Sequence, residues 1–161
     1  MLGAITGDVV GSVYEWNNIK HKDFKPLFSP RSFFTDDSVL TVALMDAIDR
    51  NVDYGKTMHW YYTQHPHAGY GHRFHHWCKY QSDQSYNSWG NGSAMRTSAV
   101  GYAYDTIEDV LEKAKYFASF THDHPEGIKG AQATSACIFM ARKGATKEAI
   151  RTYISKQFEY D

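Results

Sequence analysis

Apolar residues recur three and four positions apart along most of this 161-residue chain, and no stretch shows the period-two alternation of a half-buried strand. The pattern predicts an all-α, compact multi-helix fold. A first helix is expected over residues 2–15, where Gly3, Ala4, Gly7 and Gly11 leave a flat face of small side chains. Glycine costs up to about 1 kcal/mol per helical position relative to alanine, so this helix requires close packing to compensate. A loop follows, ending in "KPLFSPRSFF". The second helix, residues 37–50, carries Val39, Leu40, Val42, Ala43, Leu44, Met45, Ala47 and Ile48 and is apolar on most faces, as a central helix should be. Further helical stretches cover residues 55–64, 71–80, 93–104, 106–121, 124–144 and 146–161. Asp105-Thr106 with Asp109, and Thr146 ahead of Glu148, supply capping side chains and N-terminal acids, and Gly144 stands where a C-terminal cap belongs.

A chain of this length most simply forms one domain, residues 1–161, with a core large enough to need no staples. The formal net charge of −1 offers no global basic field for nucleic acid or an acidic membrane, so an anionic ligand must be held by local donors. Cys78 and Cys137 lie in different segments without metal-site spacing, which fits a reducing compartment and makes the cytoplasm the expectation. The N-terminus lacks a basic region and is broken by glycines, so it reads as neither a signal peptide nor a membrane span. Twelve tyrosines and four tryptophans are a rich aromatic supply that suits an interface or a cleft with stacking walls.

Chemistry concentrates in a few places. Thr35-Asp36-Asp37-Ser38 precedes the central helix and admits two readings: an N-terminal cap, or part of a Mg²⁺ or Mn²⁺ site built from one hydroxyl and two carboxylates. As a metal site it needs further acids, and Asp8 and Glu15 are the nearest by chemistry. Gly90-Asn91-Gly92-Ser93, at the end of the polar connection "YQSDQSYNSWGNGS", leads into a helix expected near Ala94. It is either a tight turn capped by Ser93 or a backbone cradle for an anion. In "THDHPEGIKGA", His122 and His124 lack the i, i+4 spacing of a zinc helix, and Pro125 and Glu126 suit a first helical turn. The cluster His65, His67, His72, His75 and His76 has irregular spacing and reads as wet surface. No nucleophile elbow, P-loop or dinucleotide fingerprint occurs.

Taken together and in this order, "GAITGDVVGSVYE", "TDDS", "YGHRFHHW", "GNGSAMR" and "HPEGIKGAQATS" closely resemble the ADP-ribosylglycohydrolase family over nearly the whole chain. The resemblance implies an all-α fold around a cleft with two Mg²⁺ or Mn²⁺ ions, which hydrolyses the glycosidic bond between ADP-ribose and a protein side chain or related acceptor. It further implies that Thr35, Asp36 and Asp37 are metal ligands, that Glu15 is the acid acting on the scissile bond or its water, and that Gly90, Asn91, Gly92, Ser93, Met95 and His124 receive the substrate. Tyr70, Phe74 and Trp89 are candidates to stack on adenine. Family members continue further and carry a second D-x-D-T/S motif for both metals, which is absent here. The expectation is therefore the N-terminal portion of the family fold, with an incomplete metal site and a bare core face. Three accounts stay open: one part of an enzyme completed by a C-terminal chain or by homo-oligomerisation, an ADP-ribose binder without turnover, or a structural, crystallin-like relative.

Overall fold

The computed structural model describes residues 1–160, and among these only helices, turns and irregular segments occur. Helix α1 spans Leu2–Gly11 and tightens into a 3₁₀ turn at Ser12–Tyr14, so the expected first helix is present with its last turn overwound. None of its residues is fully buried. Residues 15–34 are irregular and expose Trp16, Leu27, Phe28, Phe33 and Phe34.

Helix α2, Asp36–Asp49, buries Val39, Leu40, Ala43, Leu44 and Ala47 and packs against α1, against α3 (Tyr54–Gln64) and against α5 (Gly92–Arg96). With α4 (His72–Lys79) it forms the main core, in which Leu40 and Leu44 meet Tyr54, Met58, Phe74 and Trp77. The single helix expected over residues 93–104 is broken into α5, a 3₁₀ turn at Thr97–Ala99 and α6 (Val100–Ala103). The physical reason lies at the Thr97-Ser98 step, where hydroxyl side chains find partners other than the helix ladder. The Thr97 hydroxyl pairs with the Ser135 hydroxyl at 2.7 Å, and the bend lets both α5 and α6 reach helix α8 (Pro125–Arg142).

Helix α7, Ile107–Ala118, is capped by Thr106, whose hydroxyl accepts the Asp109 N–H at 3.1 Å. Helix α8 starts at Pro125 with His124 as its cap, and α9, Lys147–Phe158, is capped by Thr146. Between α8 and α9, Gly144 takes a φ of +83°, the left-handed conformation that a C-terminal cap favours. A smaller core of Ala133, Ala136 and Phe158 joins α9 to α8. No helix among the described residues is long and apolar enough to cross a membrane.

Helix α6 lies tight against α8 at Gly101, where an added Cβ would stand 2.7 Å from Ile138 Cβ and 2.8 Å from the Ser135 carbonyl oxygen. Gly101→Ala is expected to destabilise the chain by about 1–3 kcal/mol through overpacking. Gly130→Ala, whose Cβ would meet only Ala94 Cβ at 3.7 Å, is expected to be neutral or stabilising. Denaturant midpoints of the two variants check this.

Candidate functional site

Asp8 on α1 holds the start of α2. Its Oδ2 accepts the backbone N–H groups of Thr35 at 2.8 Å and Ser38 at 3.1 Å, and its Oδ1 accepts the Thr35 hydroxyl at 2.6 Å. Thr35 Oγ1 in turn accepts the Asp37 N–H at 3.3 Å. The T-D-D-S stretch is thus a helix cap in its local geometry, reinforced by a carboxylate 27 residues upstream. This double cap sets Asp36 and Asp37 side by side on the first turn.

The resulting acids are crowded. Burial, then the charge of Asp37, with smaller pushes from Glu15 and Asp8, raises Asp36 to about 6. Burial and the charge of Asp8 raise Asp37 as well. Glu15, exposed at the end of the 3₁₀ turn, is near enough for its charge to be felt at both. Among the described residues no lysine, arginine or histidine forms an ion pair with Asp8, Glu15, Asp36 or Asp37. An uncompensated group of oxygen donors of this kind suits a hard divalent cation in chemistry. It does not close a cage: among the described residues no three or more His, Cys, Asp or Glu side chains gather as a metal site. Both oxygens of Asp8 are already engaged by the start of α2, so Thr35, Asp36 and Asp37 form a partial ligand set.

Beside these acids opens a cavity of about 300 Å³, walled by Asp36, Arg73, Asn91, Arg96 and His122 among others. A hollow of about 580 Å³ lies between Trp60 and Trp77 but shares no lining residue with the first. Chemistry, rather than size, selects the smaller one. Its polar wall is the glycine loop, and the loop is tied down through its backbone. Ser88 N–H donates to the Thr121 carbonyl oxygen at 3.1 Å, and Gly90 N–H donates to Ser88 Oγ at 3.3 Å.

Helix α5 begins at Gly92, two residues before the expected start, with Asn91 in the cap position and no side-chain cap bond. The expectation that Ser93 caps it is corrected: Ser93 is buried inside α5, and its hydroxyl donates to the Gly127 carbonyl oxygen at 2.7 Å. Helix α8 competes for that hydroxyl and wins it. Two glycines permit the contact. A Cβ on Gly92 would stand 3.0 Å from the His122 ring, and one on Gly127 would stand 2.7 Å from the Ser88 carbonyl oxygen. Gly90, Asn91, Gly92 and Met95 all border the cavity.

His124 is half-buried at the rim, where Nδ1 accepts the Glu126 N–H at 3.1 Å and the ring lies 5.9 Å from that of Trp89. The histidine that lines the cavity is His122, which is 4 % exposed. Its ring is pushed down to about 3 by burial and by the positive charges of Arg96 and Arg73. The sequence signal was partial: Pro125 fixes the start of α8 and commits His124 to capping, while the inward position of His122 is set by distant neighbours such as Gly92 and Tyr86. Of the candidate stacking rings, Phe74 is in the core, Tyr70 is half-buried and stacked on Phe74, and Trp89 is 71 % exposed. In the histidine cluster, His75 Nδ1 meets the Tyr62 hydroxyl at 2.8 Å, His72 lies against His76, and His65 against Phe34.

Comparison with known proteins identifies the family. A profile of the ADP-ribosylglycohydrolase family matches residues 1–160. The chain is similar to ADP-ribosylhydrolase ARH3 of Xenopus tropicalis, at 25% identity, and of Mus musculus, at 28%, with matches covering 89% and 91% of this chain. The Homo sapiens protein of the same name is 27% identical over 89% of it. The chain spans about half the length of these curated relatives, 49% in each case. The acid-lined start of α2, the glycine loop and the match along the whole described chain lead to one assignment: the chain belongs to the ADP-ribosylglycohydrolase family.

Proposed function

We propose that this chain carries the substrate-binding wall and part of the metal site of a hydrolase that cleaves the glycosidic bond between ADP-ribose and a protein side chain or related acceptor. The observation that carries the reading is the juxtaposition, in one cavity wall, of Asp36 with the Gly90–Gly92 loop and two arginines, Arg73 and Arg96. A carboxylate and two guanidinium groups lining the same cavity suit a ligand that carries both hydroxyls and an anionic pyrophosphate.

Thr35, Asp36 and Asp37 would hold a Mg²⁺ or Mn²⁺ ion, which supplies Lewis-acid stabilisation of developing charge. Glu15, exposed and with its charge felt at both aspartates, would be the group that handles a proton. Backbone N–H groups of the glycine loop and the guanidinium of Arg73 orient the anionic part, and Trp89 covers the base. The missing ligands would come from a C-terminal segment or chain, or from a second copy, seated near the exposed apolar side chains of α1 and residues 15–34.

A second reading has its own support. Because no group of three or more acidic, histidine or cysteine side chains gathers among the described residues, the chain alone suits binding of ADP-ribose without turnover.

Two outcomes are expected. With Mn²⁺ or Mg²⁺ and an ADP-ribosylated protein, release of ADP-ribose by the chain, with its complementing segment where one is required, falls at least about a hundredfold in Asp36→Ala. Equal release from variant and wild type defeats the hydrolase reading; calorimetric binding of ADP-ribose without release from either selects the binder. Separately, Mn²⁺ is expected to raise the melting temperature of the wild-type chain by a few degrees, a shift of about 1 kcal/mol, and to leave Asp36→Asn unmoved. A thermal shift that is the same in both removes Asp36 from the ligand set.

A further inference from the structure

Arg96 is the largest fully buried side chain of the structure, 2 % exposed, and among the described residues no carboxylate pairs with it. A buried guanidinium without an ion-pair partner is costly unless its donors are well used. One of them is: Nη2 donates to Thr121 Oγ1 at 2.6 Å, and the same hydroxyl lies 2.8 Å from His122 Nδ1. Arginine has no lone pair to offer, so Thr121 Oγ1 is the acceptor in the first bond. Thr121 is 0 % exposed, and its own proton needs an acceptor. Nδ1 of His122 meets it at 2.8 Å, and the Tyr86 hydroxyl, the other polar group beside Thr121, makes no well-aligned hydrogen bond to it. Were Nδ1 to carry a proton instead, the hydroxyl would accept twice and leave its own proton buried and unused.

We infer that Arg96 and Thr121 are positioning residues that fix His122 as the neutral tautomer with its proton on Nε2, making it a single hydrogen-bond donor in the cavity wall beneath Gly92, matched to an acceptor oxygen of the ligand. The Nε2–Cε1 edge is the one that faces Gly92, where an added Cβ would stand 3.1 Å from Nε2. Gly92 therefore leaves open the approach to this edge. Around the ring, Arg96 on α5 and Arg73 on α4 oppose a second proton, while Asp123 beside it favours one and is the weaker influence. Tyr86 packs 6.1 Å away, ring to ring. A neutral histidine can donate or accept according to tautomer, and the arginine–threonine relay removes that choice.

The identity of the ligand oxygen, a ribose or phosphate oxygen, rests on the ADP-ribose reading above; the tautomer does not. The test is long-range ¹H–¹⁵N spectroscopy of the ligand-free, ¹⁵N-labelled chain between pH 5 and 8. The wild type is expected to show His122 as one neutral tautomer protonated at Nε2 throughout. Thr121→Ser, which keeps the hydroxyl, is expected to retain it, and Thr121→Val is expected to give mixed or Nδ1-protonated ring and about tenfold weaker ADP-ribose binding. A wild-type ring protonated at Nδ1, or titrating within that range, overturns the inference without need of any variant. So does a folded Thr121→Val whose ring is unchanged. A wild-type chain with the expected tautomer but no affinity for ADP-ribose leaves the relay standing and removes the ligand reading instead.

Discussion

The arrangement of this molecule depends on the capture of the α2 N-terminus by a carboxylate from α1. Helix starts carry unpaired N–H groups and a partial positive charge, and here two of those groups and the capping hydroxyl converge on Asp8. The bond set does two things at once. It ties a glycine-bearing helix with no fully buried residue to the central helix of the core, and it fixes the direction in which Asp36 and Asp37 leave α2. The glycines of α1 take no part in this: Gly3, Gly7 and Gly11 are exposed and a Cβ on any of them would meet nothing within 4 Å, so the close packing expected on that face does not occur and the Asp8 bonds hold the helix instead.

From that fixed start, charge is arranged by exclusion. The acids Asp8, Glu15, Asp36 and Asp37 have no basic partner among the described residues, while Arg96 is buried with no acidic one. Opposite charges of this kind would normally pair if the fold brought them together. Asp36 and Arg96 both line the 300 Å³ cavity without pairing, so each retains unneutralised charge there. A site of this design is held by backbone and hydroxyl bonds rather than by ion pairs.

Much of the fold was legible in the sequence because helical periodicity and capping residues are local signals. Thr106, Thr146, Gly144 and the His-Pro start of α8 behave as their side chains dictate. What the sequence hid was non-local. The break at Thr97-Ser98 depends on Ser135, 38 residues away from Thr97, and the loss of Ser93 as a cap depends on Gly127, 34 residues away. The site divided along the same line. Thr35, Asp36, Asp37 and the glycine loop could be named because they are contiguous, whereas the inward turn of His122 depends on the contact of three separate segments. Arg96 gave no signal at all, since a lone arginine after a methionine reads as surface until its burial is seen.

The segment that carries Trp89 shows how such a cleft can be retuned. Its main chain is moored on either side of the indole, at Ser88 to the Thr121 carbonyl and at Gly90 to the Ser88 hydroxyl, and the indole itself stands free in solvent. Anchorage and, on the proposed ADP-ribose reading, recognition would thus be carried by different atoms of the same few residues. A lineage could exchange the side chain at this position, ring for ring or ring for something smaller, and alter what the cleft prefers while the fold registers almost nothing.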